Sequence, residues 1–245
     1  MGNEYFRFKR FTIFQDKCAM KVGTDGVLLG ASMTIKPTDR RLLDVGTGTG
    51  TIALMAAQRL SASAGQEKAV IDAIDIDRVS AEEAGFNFNN SPWTEMLNVH
   101  YASLEDFAQG REGKYDLIFS NPPYFEDSLP AQQERRSNAR HTSTGLSYRE
   151  LLEFASDRLS VEGRISVVLP AEQEASLCRY ARMSGLHLFR IVRVKTVPRK
   201  DPCRIIAEFG RERCEIPEEI MLTIQKEGKY TEEYLSLTHD FYLFA

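Results

Sequence analysis

The sequence predicts an α/β fold in which a mostly parallel sheet carries helices on both faces and ends in an antiparallel pair. Three observations predict it. From residue 41 to residue 184, apolar runs of strand length alternate with stretches of helical periodicity. A glycine-rich turn, "DVGTGTG", separates the first of these strands from the first of these helices. The last two long apolar runs, "LHLFRIVRVKTV" and "CRIIAEFGR", follow each other with no helix between them, so they are expected to pair antiparallel.

The elements can be taken in order. "YFRFKRFTIF" alternates apolar and polar residues and reads as one two-sided strand. "GVLLGASM" reads as a helix with Thr24 or Asp25 as its N-cap. "RLLDVG", "TIALMAAQRL" and "AVIDAID" then make a strand, a helix and a strand, which is a βαβ unit. A helix near 78–90 follows, begun by Asp77 as its cap, and then short strands at "LNVHY" and "YDLIFS". Trp93 and Met96 are expected to pack beside the first of these. A polar loop at about 126–146 leads to a helix at "YRELLEFASDRL", a strand at "RISVVL" and a helix at 171–184.

Composition narrows the function classes. With 245 residues, 42% hydrophobic and 27% charged, the chain has a core large enough to fold alone. No apolar run reaches the roughly 18 uncharged residues of a membrane span, and the charged opening "MGNEYFRFKR" lacks the apolar heart of a signal peptide, so a cytoplasmic protein is expected. Position 6 is Phe6 where a myristoylation signal needs Ser or Thr. Cys18, Cys178, Cys203 and Cys214 are scattered without metal-ligand spacing, so no metal is expected and the thiols are read as reduced and buried. The net charge of −4 argues against a protein that coats nucleic acid indiscriminately. Yet residues 190–213 hold eight Lys or Arg against three acids, while 214–245 hold two against seven, so a basic face within an acidic whole is expected.

In the glycine loop, Gly46 and Gly48 permit a close backbone approach to a ligand at the start of the helix. The spacing is Gly46-x-Gly48-x-Gly50, with Thr51 where a dinucleotide fingerprint would place its third glycine. Asp44 opens the loop. Asp75, at the end of the next strand, lies where ribose hydroxyls are recognised. These residues point to a nucleoside-bearing cofactor, either a nicotinamide dinucleotide or S-adenosylmethionine.

The stretch "SNPPYFED" bears on that choice. Ligands gather beyond the carboxyl ends of strands in open α/β sheets, so Asn121 should face the crevice that holds Gly46 and Asp75. Proline keeps Asn121 and Pro122 extended and stiffens Pro123 after them. Asn121 Oδ1 and the Pro122 carbonyl can then accept both hydrogens of a planar amine, with Tyr124 offering a stacking face. Such acceptors favour a pyramidal nitrogen and strengthen as positive charge develops, which suits methylation of a delocalised nitrogen by a sulfonium methyl. No strong general base is required.

Together, "LLDVGTGTG", "AIDID" and "SNPPY" resemble the class I S-adenosylmethionine-dependent methyltransferases that act on amino nitrogens, and the resemblance covers most of the chain. "FQDKCAMKVGTDGVLLGASM" and "RHTSTGLSYRELL" are similar to the tRNA1(Val) adenine-37 N6-methyltransferase family. The resemblance implies a Rossmann-like seven-stranded sheet with an antiparallel C-terminal edge, S-adenosyl-L-methionine as cofactor and a tRNA anticodon loop as partner. It implies one domain over 1–245, with 1–40 covering the cofactor, Thr24 and Asp25 among the covering residues, and 41–245 forming the core. The chain departs from many relatives in "YASLEDF", where Ser103 stands in place of an acid near the cofactor's adenine and Asp106 competes for the role.

Arg135, Arg136 and Arg140 of the polar loop, with Lys195, Arg199 and Lys200, are candidate phosphate contacts, while His141 is given no role. Arg7, Lys9 and Arg10 could also meet RNA. The chain is expected to act as a monomer. Three rival readings share parts of the pattern: a protein glutamine methyltransferase, a DNA adenine methyltransferase and a non-catalytic nucleotide- or RNA-binding module. The first two have little chain before the glycine loop for a recognition domain, and the third has no need of Asn-Pro-Pro-Tyr.

Overall fold

The computed structural model describes residues 4–62, 69–109, 113–123 and 146–245. Its main sheet grows outward from the middle. The strand Arg41–Val45 (β3) pairs in parallel with Val70–Asp75 (β4) on one side and with Tyr115–Ser120 (β6) on the other, and Leu97–Tyr101 (β5) extends the β4 side. The chain therefore reverses direction across the sheet between β3 and β6. Such a switch point opens a crevice at the carboxyl ends of the strands.

Beyond β6 lie Leu159–Pro170 (β7), Arg204–Gly210 (β9), His187–Lys195 (β8) and Glu218–Thr223 (β10), giving the order β10-β8-β9-β7-β6-β3-β4-β5. The antiparallel strand is β9, inserted between β7 and β8. Among the described residues the sheet thus has eight strands where seven were expected, because β10 adds itself in parallel to β8. Glu218 and Glu219 of that edge strand bond Arg190 and Arg193 across it, which explains how an acidic segment pairs in a sheet.

Helices Thr24–Ser32 (α1), Thr51–Ser61 (α2) and Arg78–Asn89 (α3) contribute to one apolar core. Leu104–Ala108 (α4), Tyr148–Arg158 (α5) and Glu174–Met183 (α6) contribute to the other. The expected cap of α3 is present, with Ser80 N donating to Asp77 Oδ2 at 3.0 Å. Trp93 and Met96 pack in the first core beside Leu97, as expected.

The N-terminal reading needs two corrections. Residues 5–14 form a hairpin, Tyr5–Arg7 (β1) against Thr12–Phe14 (β2), and not one strand. The turn between them is closed by Phe8 N donating to Phe11 O, and the consecutive polar residues Lys9 and Arg10 interrupt the apolar-polar alternation there. The N-cap of α1 is Gly23, without a side-chain capping bond. Asp25 instead accepts from Arg204 Nε at 2.8 Å, which ties the first turn of α1 to β9.

The hairpin is docked by α3. Buried Asn87 accepts from Phe14 N and donates to the carbonyls of Phe14 and Thr49, while both oxygens of Glu83 accept from the amides of Lys17 and Cys18. The cysteines are unpaired thiols, but only Cys18 is buried. Cys178 is half-buried, and Cys203 and Cys214 are exposed on the segments flanking β9.

Candidate active site

The glycine loop leaves β3 and reaches α2 through three residues in the left-handed region: Gly46 at φ 73°, Gly48 at 55° and Gly50 at 81°. These glycines have different tasks. A Cβ on Gly50 would come within 2.5 Å of the Phe88 ring, so that glycine lets α3 pack closely. Cβ atoms on Gly46 and Gly48 would meet nothing within 4 Å, so a side chain at either would project into the open crevice.

Asp75 holds the loop in place. Its Oδ2 accepts from Gly48 N at 2.8 Å and its Oδ1 from Asp77 N at 2.9 Å. Burial raises its pKa, against the lowering effect of these backbone bonds. Asp44 is fully buried beneath the loop, with Oδ2 accepting from Thr47 Oγ1 at 2.7 Å. Its Oδ1 has no hydrogen-bond partner among the described residues. Burial pushes the Asp44 pKa up to about 7, with the Asp75 charge adding to the rise and the Thr47 hydroxyl opposing it.

The acceptor loop begins one strand away. Ser120, the last residue of β6, donates its hydroxyl to the carbonyl of Val45 at 2.7 Å. Val45 immediately precedes Gly46, so that bond locks the exit of β6 to the entrance of the glycine loop. Asn121 is half-buried and Pro122 is buried, and with Pro123 they lie outside helix and strand. Tyr124, Arg135, Arg136, Arg140 and His141 lie outside the described residues.

The remaining sequence candidates divide. Thr24 is exposed at the first turn of α1, next to the Asp25–Arg204 pair. Ser103 is the N-cap of α4: it accepts from Asp106 N at 3.0 Å and donates to Asp106 Oδ2 at 2.6 Å. Ser103 and Asp106 therefore bond each other at the start of α4. Lys195 ends β8, and Arg199 and Lys200 are exposed in the connection to β9. This connection is on the same rim, because Val194 pairs with Arg204 and Arg204 pairs with Pro170 at the carboxyl end of β7.

Two residues escaped the sequence reading. Ile76 and Tyr101, 64% and 63% exposed, stand at the carboxyl ends of β4 and β5 beside Asp75. A large apolar residue directly after an acidic strand end was the available signal, since exposed apolar surface at a ligand crevice commonly receives a planar ring.

An open α/β sheet whose switch point carries this glycine loop, an acid at the next strand end and an Asn-Pro-Pro exit on the other side defines a class I S-adenosylmethionine-dependent methyltransferase. The residues suit that cofactor: a buried carboxylate oxygen lacks a partner among the described residues, and two glycines leave room beside acidic groups for a cationic nucleoside. Residues 19–183 match the methyltransferase small domain family. A tRNA1(Val) (adenine(37)-N6)-methyltransferase of Parabacteroides distasonis is 45% identical over 99% of both chains. One from Flavobacterium psychrophilum is 41% identical over 97% of this chain and 99% of its own, and one from Haemophilus influenzae is 39% identical over 97% and 98%. The chain belongs to the tRNA1(Val) (adenine(37)-N6)-methyltransferase family.

Solved structures agree on the fold. A predicted O-methyltransferase of Agrobacterium tumefaciens superposes with a TM-score of 0.61 at 18% identity, covering 87% of this chain and 95% of its own. The type I restriction-modification methyltransferase subunit of Streptococcus thermophilus gives 0.59 at 15% identity, covering 90% of this chain and 52% of its own.

Proposed function

We infer that the protein transfers a methyl group from S-adenosylmethionine to N6 of adenosine 37 in the anticodon loop of tRNA1(Val). The observation that carries this reading is the Ser120–Val45 hydrogen bond, which sets Asn121 one residue from a direct link to the glycine loop. The names of the full-length relatives supply the acceptor.

Asp44, Gly46, Gly48 and Asp75 would hold the cofactor, with Ile76 and Tyr101 flanking its adenine and Ser103 close by. Residues 1–40 cover it, with Thr24 and Asp25 nearest the crevice, so that the whole chain acts as one methyltransferase unit in the cytoplasm. When bound, S-adenosylmethionine supplies an electrophilic methyl group on a sulfonium. Asn121 Oδ1 and the Pro122 carbonyl accept the two hydrogens of the adenine amine and draw its lone pair out of conjugation, and Tyr124 stacks on the flipped base. Because both acceptors gain strength as the nitrogen becomes cationic, they lower the barrier more than they stabilise the ground state. The proton leaves after transfer, to solvent. Arg135, Arg136, Arg140, Lys195, Arg199 and Lys200 meet the RNA backbone.

The test supplies labelled S-adenosylmethionine with total tRNA, DNA or a protein extract, followed by digestion. Label in N6-methyladenosine from the tRNA is expected. Label in methylglutamine, or in no fraction, would defeat the reading.

A further inference from the structure

The arginines and lysines of the C-terminal third fall into two sets. Arg190 bonds Glu208 and Glu218, Arg193 bonds Glu174 and Glu219, and Arg204 bonds Asp25. Their charge is committed within the protein. Lys195, Arg199 and Lys200 make no side-chain hydrogen bond or ion pair among the described residues, and neither do Lys226 and Lys229.

Those last two are the only lysines or arginines from 214 to 245, and both sit on one exposed hairpin, Gln225–Lys226 (β11) against Lys229–Tyr230 (β12). The hairpin is joined directly to the rim. Ile224 N donates to Lys195 O at 2.9 Å and Gln225 N to Thr196 O at 3.0 Å, which brings the hairpin against the β8–β9 connection. Its far side rests on a ring cluster: Tyr230 stacks on Tyr234 and on Phe244, each at 5.1 Å, and Tyr242 stacks on Phe244 at 4.7 Å. A platform fixed in this way presents its charges with little further ordering to do on binding.

The position suits an RNA strand. Strand β8 stands three places from β6, roughly 14 Å at about 4.8 Å per strand, and β10 one place further. We propose that Lys226 and Lys229 extend Lys195, Arg199 and Lys200 into a single ledge that takes the sugar-phosphate backbone of the RNA flanking the acceptor adenine. Glu227 at the hairpin turn and Asp201 in the β8–β9 connection are the acids on this ledge, against five cations. The proposal rests on the reading of the protein as an RNA methyltransferase.

The experiment measures tRNA affinity against salt concentration for the wild-type protein, K226A/K229A and E227K, with S-adenosylmethionine affinity as a check on folding. The slope of log affinity on log salt should become shallower by about 1.4 in K226A/K229A, at about 0.7 for each phosphate of single-stranded RNA that is no longer neutralised. It should steepen in E227K, a change of the opposite sign that misfolding would not produce. Cofactor affinity should stay at the wild-type value in both. Unchanged slopes in both variants, in a wild-type protein that does methylate tRNA, would overturn the ledge alone. A wild-type protein that places no label in RNA would overturn the underlying reading and the ledge with it.

Discussion

The glycine loop and the Asn121 loop leave neighbouring strands of one sheet, yet they are made rigid by opposite means. At the end of β3 the chain is fixed by hydrogen bonds to its own backbone: Ile74 O receives the amides of Gly46 and Thr47, and Asp75 receives that of Gly48. Glycines supply the left-handed conformations that this geometry needs. At the end of β6 the chain is fixed by covalent rings, Pro122 and Pro123, which have no amide hydrogen to donate. The first device spends backbone polarity on shape. The second fixes the chain without using an amide hydrogen at Pro122 or Pro123, which suits the proposed amine-accepting role of this loop.

The division predicts that each loop can be damaged without the other. The largest effect is expected from Asn121→Ala, whose single-turnover methyl transfer should fall by about 100-fold or more, as for loss of one preorganised transition-state hydrogen bond. S-adenosylmethionine binding should stay normal. A full-rate Asn121→Ala enzyme would reduce the β6 exit to a turn.

Asp75→Ala strikes the other side and should weaken S-adenosylmethionine binding by about 1.5–3 kcal/mol, the range for a hydrogen bond to a charged group. Because Asp75 also accepts from the amides of Gly48 and Asp77, Asp75→Asn should lose less, keeping one acceptor oxygen. Calorimetry separates the two variants, and equal affinity in Asp75→Ala and the wild type would remove the ribose from this carboxylate.

Within the glycine loop the comparison sharpens further. Gly48→Ala and Gly50→Ala both force a Cβ into the left-handed region, at about 1–2 kcal/mol each. Only the second also collides with Phe88. Thermal unfolding should therefore show the larger loss in Gly50→Ala, and cofactor titration the larger loss relative to stability in Gly48→Ala.

The last expected effect concerns pH. The Asp44 carboxyl titrates at about 7 in the folded chain, against 3.8 for an unperturbed group. Between these values the folded protein keeps a proton that the unfolded chain releases, so stability should fall as pH rises from about 4 to about 7. Thermal unfolding of the ligand-free protein should show that decline, and Asp44→Asn should flatten it.

The glycine loop and the Asn-Pro-Pro exit were legible as local patterns, and the βαβ periodicity placed Asp75, 27 residues from Gly48, at the next strand end. The parts that misled depend on distant residues. Asp25 resembles a helix cap until Arg204, 179 residues on, takes its carboxylate. Strand β10 has a weak apolar pattern, because its pairing with β8 is supported by Glu218 and Glu219 against Arg190 and Arg193. The β1–β2 turn carries Lys9 and Arg10 in place of Gly, Asn or Pro, so only their break in the apolar-polar alternation marks it. The expectation that all four cysteines are buried failed because Cys203 and Cys214 occupy connections, not elements.

Asn87 also constrains the order in which the molecule can be assembled. Phe14 is synthesised 73 residues before the side chain that receives its amide, and the same side chain closes on the carbonyl of Thr49. The docking of the hairpin must therefore wait until Asn87 exists, while the glycine loop gains a further tie only with Ser120. Pairings with so long a sequence separation form late and slow the chain's folding. A nascent chain halted before residue 87 would lack the Asn87 contacts that hold Phe14, at the end of the hairpin carrying Phe8, Phe11 and Ile13, all buried in the finished protein.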